Sequence, residues 1–340
     1  MESEEEQIHA GYKFESGMFA RARSWTDLAP WIALIRVMRL LASPFAVALV
    51  TAGWILCRGV FFSLIEIEAW QFPADPIGVF GLVVYEVQTL TPLPMAVFAF
   101  VVFIVWLPIA AVMARQGAAL TAGRDLPPLG QTFRILAERW WRCYLIPLVP
   151  VACVLTFCIL LFLLRLPSLL LGIEAVSAVT GWLLGVLVIP AGILGFGALV
   201  AIPIAIAAVV NEPDADPIDS LSRGYEYLFR RPLNVFWYVL ICLAMGYVVR
   251  LVFAGAASAS GMMAAGLASV WRPDETLADA ALFAISSIWV GFQITLQLGL
   301  LGGVYLLLRR DAGGQHVEDL WHPEPEPVES LPELPEKAYE

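Results

Sequence analysis

Residues 178–209 read AVTGWLLGVLVIPAGILGFGALVAIPIAIAAV, and the number of times this stretch crosses a bilayer decides the fold. It is too long for one straight span, because a hydrocarbon core about 30 Å thick needs only about 20 helical residues. Pro190 and Pro203, with Gly181, Gly185, Gly192, Gly195 and Gly197, leave two readings open. One is a single tilted, kinked helix; the other is a span plus a re-entrant piece.

The rest of the chain arbitrates through its charges. Five other stretches have spanning length and apolarity: 43–65, 93–114, 144–165, 233–255 and 281–308. Counting 178–209 once gives six spans, and one side then receives 16 of the 20 basic residues. The opposite side receives Arg165 and Arg272, while Arg58 and Arg250 fall late in the first and fifth spans, where they can snorkel to headgroups. Basic residues stay cytoplasmic, so this asymmetry sets the orientation; counting 178–209 twice destroys it. The expectation is six spans with both termini cytoplasmic.

Composition agrees. The 340 residues are 60% hydrophobic and 15% charged, and mean hydropathy is +0.78. Soluble domains carry about 45–50% apolar and about 25% charged residues. The net charge of −10 reflects acids concentrated in tails and loops. Five cysteines without a CxxC pair read as small core hydrophobes. All three histidines lie in the tails, which removes the commonest metal ligand and general base from the body. The acidic N-terminus lacks the basic-then-apolar order of a signal peptide.

A repeat precedes the odd spans: WTDLAPWIALIRVMRLLASP (25–44), LPPLGQTFRILAERWWRCYL (126–145) and DPIDSLSRGYEYLFRRPL (216–233). Each is Pro-containing, Arg-bearing and amphipathic. Arg134 and Arg142 align with Arg223 and Arg231 at an offset of 89 residues. The chain is thus expected to be an all-α polytopic bundle of six transmembrane helices in a threefold repeat, with three cytoplasmic interfacial helices lying in the membrane plane. An acidic tail (1–24) precedes the transmembrane domain (25–310), and an acidic, Pro-rich tail (311–340) follows it. Too apolar-poor to fold alone, the second tail is expected to be disordered. Within it, VEDLW (317–321) has the makings of a docking motif, although acidic blocks commonly serve solubility only.

Residues 211–232, NEPDADPIDSLSRGYEYLFRRP, concentrate polar chemistry. The acids Glu212, Asp214, Asp216 and Asp219 suit a divalent cation, but the EF-hand spacing is absent. A helix start fits better: Asp216 as N-cap, Pro217 at N1 and Asp219 near the positive dipole end. Ile218, Leu221, Tyr225 and Leu228 then share one face, expected to lie on the membrane with Arg230 and Arg231 at headgroups. Glu212 and Asp214, unused by the cap, are left for a partner. In the last span Ser286, Gln293 and Gln297 share a face. It reads as interhelical hydrogen bonding in preference to a transport path.

No Asp, Glu, Lys or His falls at the middle of a span, where coupled carriers keep ionisable groups. No phosphate-binding loop, H-E-x-x-H or G-x-S-x-G occurs. No catalytic residue, metal or cofactor is therefore expected. The expected partners are lipid and a membrane or cytoplasmic protein met through the acidic tails, without nucleic acid. Three repeats in six spans resemble mitochondrial carriers, but the Pro-x-[Asp/Glu]-x-x-[Lys/Arg] signature is missing. Stretches 114–150 and 202–240 resemble a group of bacterial multi-pass membrane proteins of unknown function, which share an acidic loop, Asp-x-Leu-Ser-Arg-x-Tyr-x-Tyr and Arg-Pro. Here these are Asp219, Leu221, Ser222, Arg223, Tyr225, Tyr227, Arg231 and Pro232, with Ser220 between Asp219 and Leu221. The resemblance implies a fold and a bacterial cytoplasmic membrane, and no activity.

Overall fold

The structure is a computed structural model that describes residues 29–65, 92–171, 174–213, 216–269 and 275–321. The tail 1–24, Glu66, Glu68, Asp214, Arg272 and residues 322–340 lie outside them. The described residues form a 3-10 helix, Pro30–Ala42, followed by α1 (Pro44–Ile65), α2 (Pro92–Thr121), α3 (Leu129–Leu171), α4 (Glu174–Asn211), α5 (Pro217–Arg230), α6 (Pro232–Ser269) and α7 (Glu275–Gly313). No strand occurs among them. All but the 3-10 helix and α5 are long and apolar enough to cross a membrane. The chain is an all-α, six-span bundle.

The stretch 178–209 lies within one continuous helix, α4. Its 38 residues run about 57 Å at 1.5 Å per residue. Pro190 and Pro203 sit inside it; each removes one ladder donor, which leaves the carbonyls of Val186 and Leu199 without their usual partners. The pair Gly181 and Gly185 admits no close helix neighbour, since a Cβ at either would meet nothing within 4 Å.

The three expected interfacial helices fare differently. The first and third are separate elements because each ends before an X-Pro step. Ser43 precedes Pro44 with φ −90° and ψ 105°, and Arg231 precedes Pro232 with φ −135° and ψ 53°. A residue before proline is pushed out of the helical region. The second is no separate helix: residues 129–143 are the first third of the 43-residue α3, which carries Pro147 and Pro150 without a break.

Nor does the 3-10 helix spread its apolar face on lipid. Three residues per turn put Leu34, Val37 and Leu40 on one line, and all three are fully buried. They pack on the small residues of α7, for a Cβ at Gly299 would meet Leu40 and Val37, and one at Gly303 would meet Leu34. Ile35 and Met38 face outward instead.

The last helix is the hub. It packs against the 3-10 helix, α1, α2, α4 and α6. Its seam with α2 is the tightest contact: a Cβ at Gly117 would fall 1.9 Å from the Gly299 carbonyl oxygen, and one at Gly302 would fall 1.8 Å from that of Ala114. Tyr305, Leu306, Leu307 and Leu308 are buried around it. On the outside of α6, Leu233, Phe236, Leu240, Leu243, Tyr247 and Leu251 form one exposed apolar stripe, as a lipid-facing helix requires.

Arg58 does not reach for headgroups. It is buried, with its guanidinium 5.2 Å from the Phe62 ring and 4.7 Å from the Phe283 ring. The two ends of the described chain share one face of the bundle: Pro30, Arg36, Thr121, Arg310 and His316 line a single cavity of about 110 Å³. This face is the arginine-rich end.

Candidate functional site

The site grows from the cap of α5. Asp216, extended at φ −74° and ψ 133°, accepts a hydrogen bond from the Asp219 backbone N–H at 3.3 Å, and Pro217 opens the helix. Arg223, one turn further, donates to Glu212 Oε2 at 2.5 Å and to Asp219 Oδ2 at 2.7 Å. The other Glu212 oxygen accepts from the Tyr305 hydroxyl of α7. Glu212 is therefore no spare carboxylate held for a partner. It is buried and joins the end of α4 to α5 and α7. The donors surrounding these acids are protein groups, which also answers the cation reading for Glu212, Asp216 and Asp219.

The face of α5 expected on the membrane is divided: Leu221 is buried, Tyr225 and Leu228 are half-buried against the core, and Ile218 is exposed. The side of α5 that enters the protein is Pro217, Ser220, Leu221, Gly224 and Tyr227. The reason is backbone approach: a Cβ at Gly224 would come within 2.6 Å of the Ala201 carbonyl oxygen. Tyr225 reaches across α4, donating to the Leu194 carbonyl at 2.9 Å, and its ring stacks on Phe229. Of the two arginines expected at headgroups, Arg230 pairs with Glu226 at 2.6 Å and stays exposed. Arg231 instead donates to the Asp311 carbonyl. Asn234 and Tyr238 bond the Asp311 carboxylate at 3.1 and 2.8 Å, so the α5–α6 corner is tied to the end of α7.

Burial, and after it the Glu212 carboxylate, raises the Tyr227 phenol above its ordinary value; burial does the same to Tyr225. An acid whose folded value is raised ionises first in the unfolded chain. Stability from this pair is thus complete below pH about 10 and declines as pH rises through the folded values. Tyr227→Phe flattens that alkaline decline, which a melting series across the alkaline range measures.

Beside this latch, arginines hold the segment that follows α7. Gly314, at φ +68°, closes α7 with its N–H on the Arg310 carbonyl at 2.8 Å, a conformation glycine adopts without strain. The chain then turns back. Arg309 donates to the Asp319 carbonyl at 2.5 Å, Arg124 to that of Glu318 at 2.9 Å, and Arg115 to that of Trp321 at 2.5 Å. Gly123, at φ +77°, makes the turn that delivers Arg124. The Trp321 ring lies 4.0 Å from the Arg139 guanidinium and 5.7 Å from that of Arg115, and Leu320 is buried. Arg139 also donates to the carbonyls of Val209 at 2.7 Å and Pro213 at 2.9 Å, and Arg115 donates to Asn211 Oδ1 at 3.1 Å.

Residues 311–321 are accordingly tied to the bundle through main-chain carbonyls, Leu320 and Trp321, although residues 312–316, Glu318 and Asp319 stay exposed, and VEDLW docks on its own chain. Trp321→Ala is expected to cost about 2 kcal/mol, the size of a desolvated cation–π contact. Limited proteolysis should then cut within 314–321 well before the bundle. Sequence reasoning singled out VEDLW but not the residues that receive it, Arg115 and Arg139, nor Asn211 beside them. The available signal was a tryptophan in an acidic tail, together with arginines at the ends of apolar helices.

The three polar groups of α7 do not line one path. Ser286 borders a cleft between α6 and α7 and donates to the Phe283 carbonyl at 2.9 Å. Gln293 Nε2 is buried without a hydrogen-bond partner. Gln297 donates to the Cys242 carbonyl of α6 at 3.2 Å and borders a separate cavity of about 240 Å³. No family model, curated protein or solved structure matches the chain.

Proposed function

We propose that this protein is a non-enzymatic component of a bacterial cytoplasmic membrane. It serves as an assembly or interaction partner, with its arginine-rich end and both termini in the cytoplasm. The observation that carries this reading is where its acids and arginines are spent. Glu212, Asp219 and Asp311 are engaged by Arg223, Tyr305, Asn234 and Tyr238. Arg115, Arg124 and Arg309 are engaged by main-chain carbonyls. Catalysis and ion coupling need groups poised to change partner or protonation state, whereas a latch of this kind makes a rigid platform. The basic asymmetry of the loops supports the orientation.

The competing reading, a small-solute transporter, draws on the cavity beside Gln297. The bond from Gln297 to the Cys242 carbonyl favours interhelical support in its place. Photocrosslinking from Ile218 and Phe229, the exposed apolar residues of α5, tests the proposal in cells. A discrete adduct of constant mass is the expected result. Solute flux into liposomes containing only the purified chain contradicts the proposal.

A further inference from the structure

The cavity at the arginine-rich end is walled by four separate parts of the chain. Pro30, Ala33 and Arg36 come from the 3-10 helix and Thr121 from the end of α2. Arg310 comes from the last turn of α7, and His316, Val317 and Glu318 from the segment after it. The volume of about 110 Å³ is several times what one water molecule needs. These walls are fixed from behind. Val317 packs against the core, Arg309 donates to the His316 carbonyl at 3.4 Å, and Arg124 donates to that of Glu318 at 2.9 Å. Gly123, at φ +77°, leaves room for Arg36, since a Cβ there would fall 2.9 Å from Arg36 Nη1.

The charges on these walls do not close on one another. Around them, Arg115, Arg124 and Arg309 bond main-chain carbonyls and Arg223 bonds two carboxylates. Arg310 differs. It is half-buried, and its guanidinium makes no hydrogen bond or ion pair with a described residue. Arg36 makes one long bond, from Nη1 to the Thr121 carbonyl at 3.5 Å, which leaves most of its five N–H donors over. Glu318 supplies a carboxylate to the lining but pairs with neither arginine. The carbonyl ends of α2 and α7 favour cations here, yet a helix end carries only about half a charge. Two full positive charges therefore face one small cavity, with no described carboxylate paired to either.

We propose that this cavity binds a phosphate-type anion, held by Arg36 of the 3-10 helix and Arg310 of α7, with the His316 ring as a further polar contact. Guanidinium and phosphate match through planar, charge-assisted, bidentate hydrogen bonds. An anion between the two arginines also removes their mutual repulsion. Glu318 opposes the anion and keeps its affinity moderate. The same chemical group arrives either on a soluble ligand or on a lipid headgroup, and the cavity stands at the end of the bundle, where both are met. This inference goes beyond the assembly role and does not rest on it.

The test is isothermal titration calorimetry of the full-length chain in uncharged maltoside micelles, with inorganic phosphate and short-chain phosphatidylglycerol as the two probes. At least one is expected to bind saturably, and the tighter of the two identifies the anion as soluble or as a headgroup. Arg310→Gln is expected to weaken that probe about tenfold, the effect of roughly one good charge-assisted contact. Its melting temperature is expected to stay unchanged, since the side chain has no bond to lose. Glu318→Gln keeps the main-chain carbonyl that Arg124 holds and is expected to tighten the same probe severalfold, which a purely structural role would not do. Absence of saturable binding of either probe to the unaltered protein overturns the proposal without reference to any variant's folding. So does an affinity that survives Arg310→Gln, or one that fails to rise in Glu318→Gln.

Discussion

Gly302→Ala is expected to cost about 3 kcal/mol or more and to separate α2 from α7. The added Cβ would fall 1.8 Å from the Ala114 carbonyl oxygen and 2.9 Å from the Ala118 nitrogen, and both are backbone atoms. A flexible side chain could rotate away, but a helix backbone moves only as a body. Overpacking typically costs about 1–3 kcal/mol when side chains can adjust, and here they cannot. Gly117→Ala is expected to behave alike, since its Cβ would fall 1.9 Å from the Gly299 carbonyl oxygen. The two sites share one seam, so the double variant should cost less than the two single costs added together. Gly181→Ala and Gly185→Ala are the controls. Neither Cβ would meet an atom within 4 Å, and alanine is the better helix former by about 1 kcal/mol. Thermal unfolding in detergent measures all five variants. Equal melting temperatures for Gly302→Ala and Gly181→Ala would remove the seam from the account.

Glu212→Ala carries the second large effect, a loss of about 3 kcal/mol. It takes the carboxylate from both Arg223 and Tyr305 at once and strands a fully buried phenol. Removing one partner of a buried ion pair costs about 3–5 kcal/mol. The lower end applies because the Arg223 side chain keeps 37% of its exposure and rehydrates in part. Replacing the group together is predicted to be milder. Glu212→Leu with Arg223→Met and Tyr305→Phe removes the polar atoms as well as their partners, and such swaps are often near neutral. A double-mutant cycle on Glu212 and Arg223 should return a coupling energy well above that of the exposed Glu226–Arg230 pair, which is worth about 0.3–0.5 kcal/mol.

The membrane architecture was legible because it rests on length and apolarity, which tertiary contacts do not alter. The α5 cap was legible for a similar reason: Asp216, Pro217 and Asp219 act within four residues of one another. What the chain did not disclose was partnership at long range. Glu212 meets Tyr305, Arg139 meets Trp321, and Arg231 meets Asp311, and no local pattern encodes any of these pairs. The interfacial-helix reading went partly astray by the same route. An amphipathic helix near a membrane has two candidate surfaces for its apolar face, lipid or protein. Sequence periodicity is equal for both. Gly299 and Gly303, more than 250 residues away, decided for protein in the 3-10 helix, as did Ala201 beneath Gly224 in α5. Arg58 misled for want of Phe283, which lies on the last helix and not on its own.

The central claim is that 178–209 crosses once, so that the α4–α5 latch and the chain end share the cytoplasmic face. Cysteine labelling with a membrane-impermeant maleimide in intact cells tests it most directly, after replacement of the five native cysteines. Reporters go at three exposed positions: Ser222 in α5, Gln315 after α7, and Asp279 near the start of α7. The account predicts that Asp279→Cys is labelled from outside, while Ser222→Cys and Gln315→Cys are labelled only after permeabilisation. Labelling of Ser222→Cys in intact cells would mean that the stretch crosses twice, and the six-span account would fall with it.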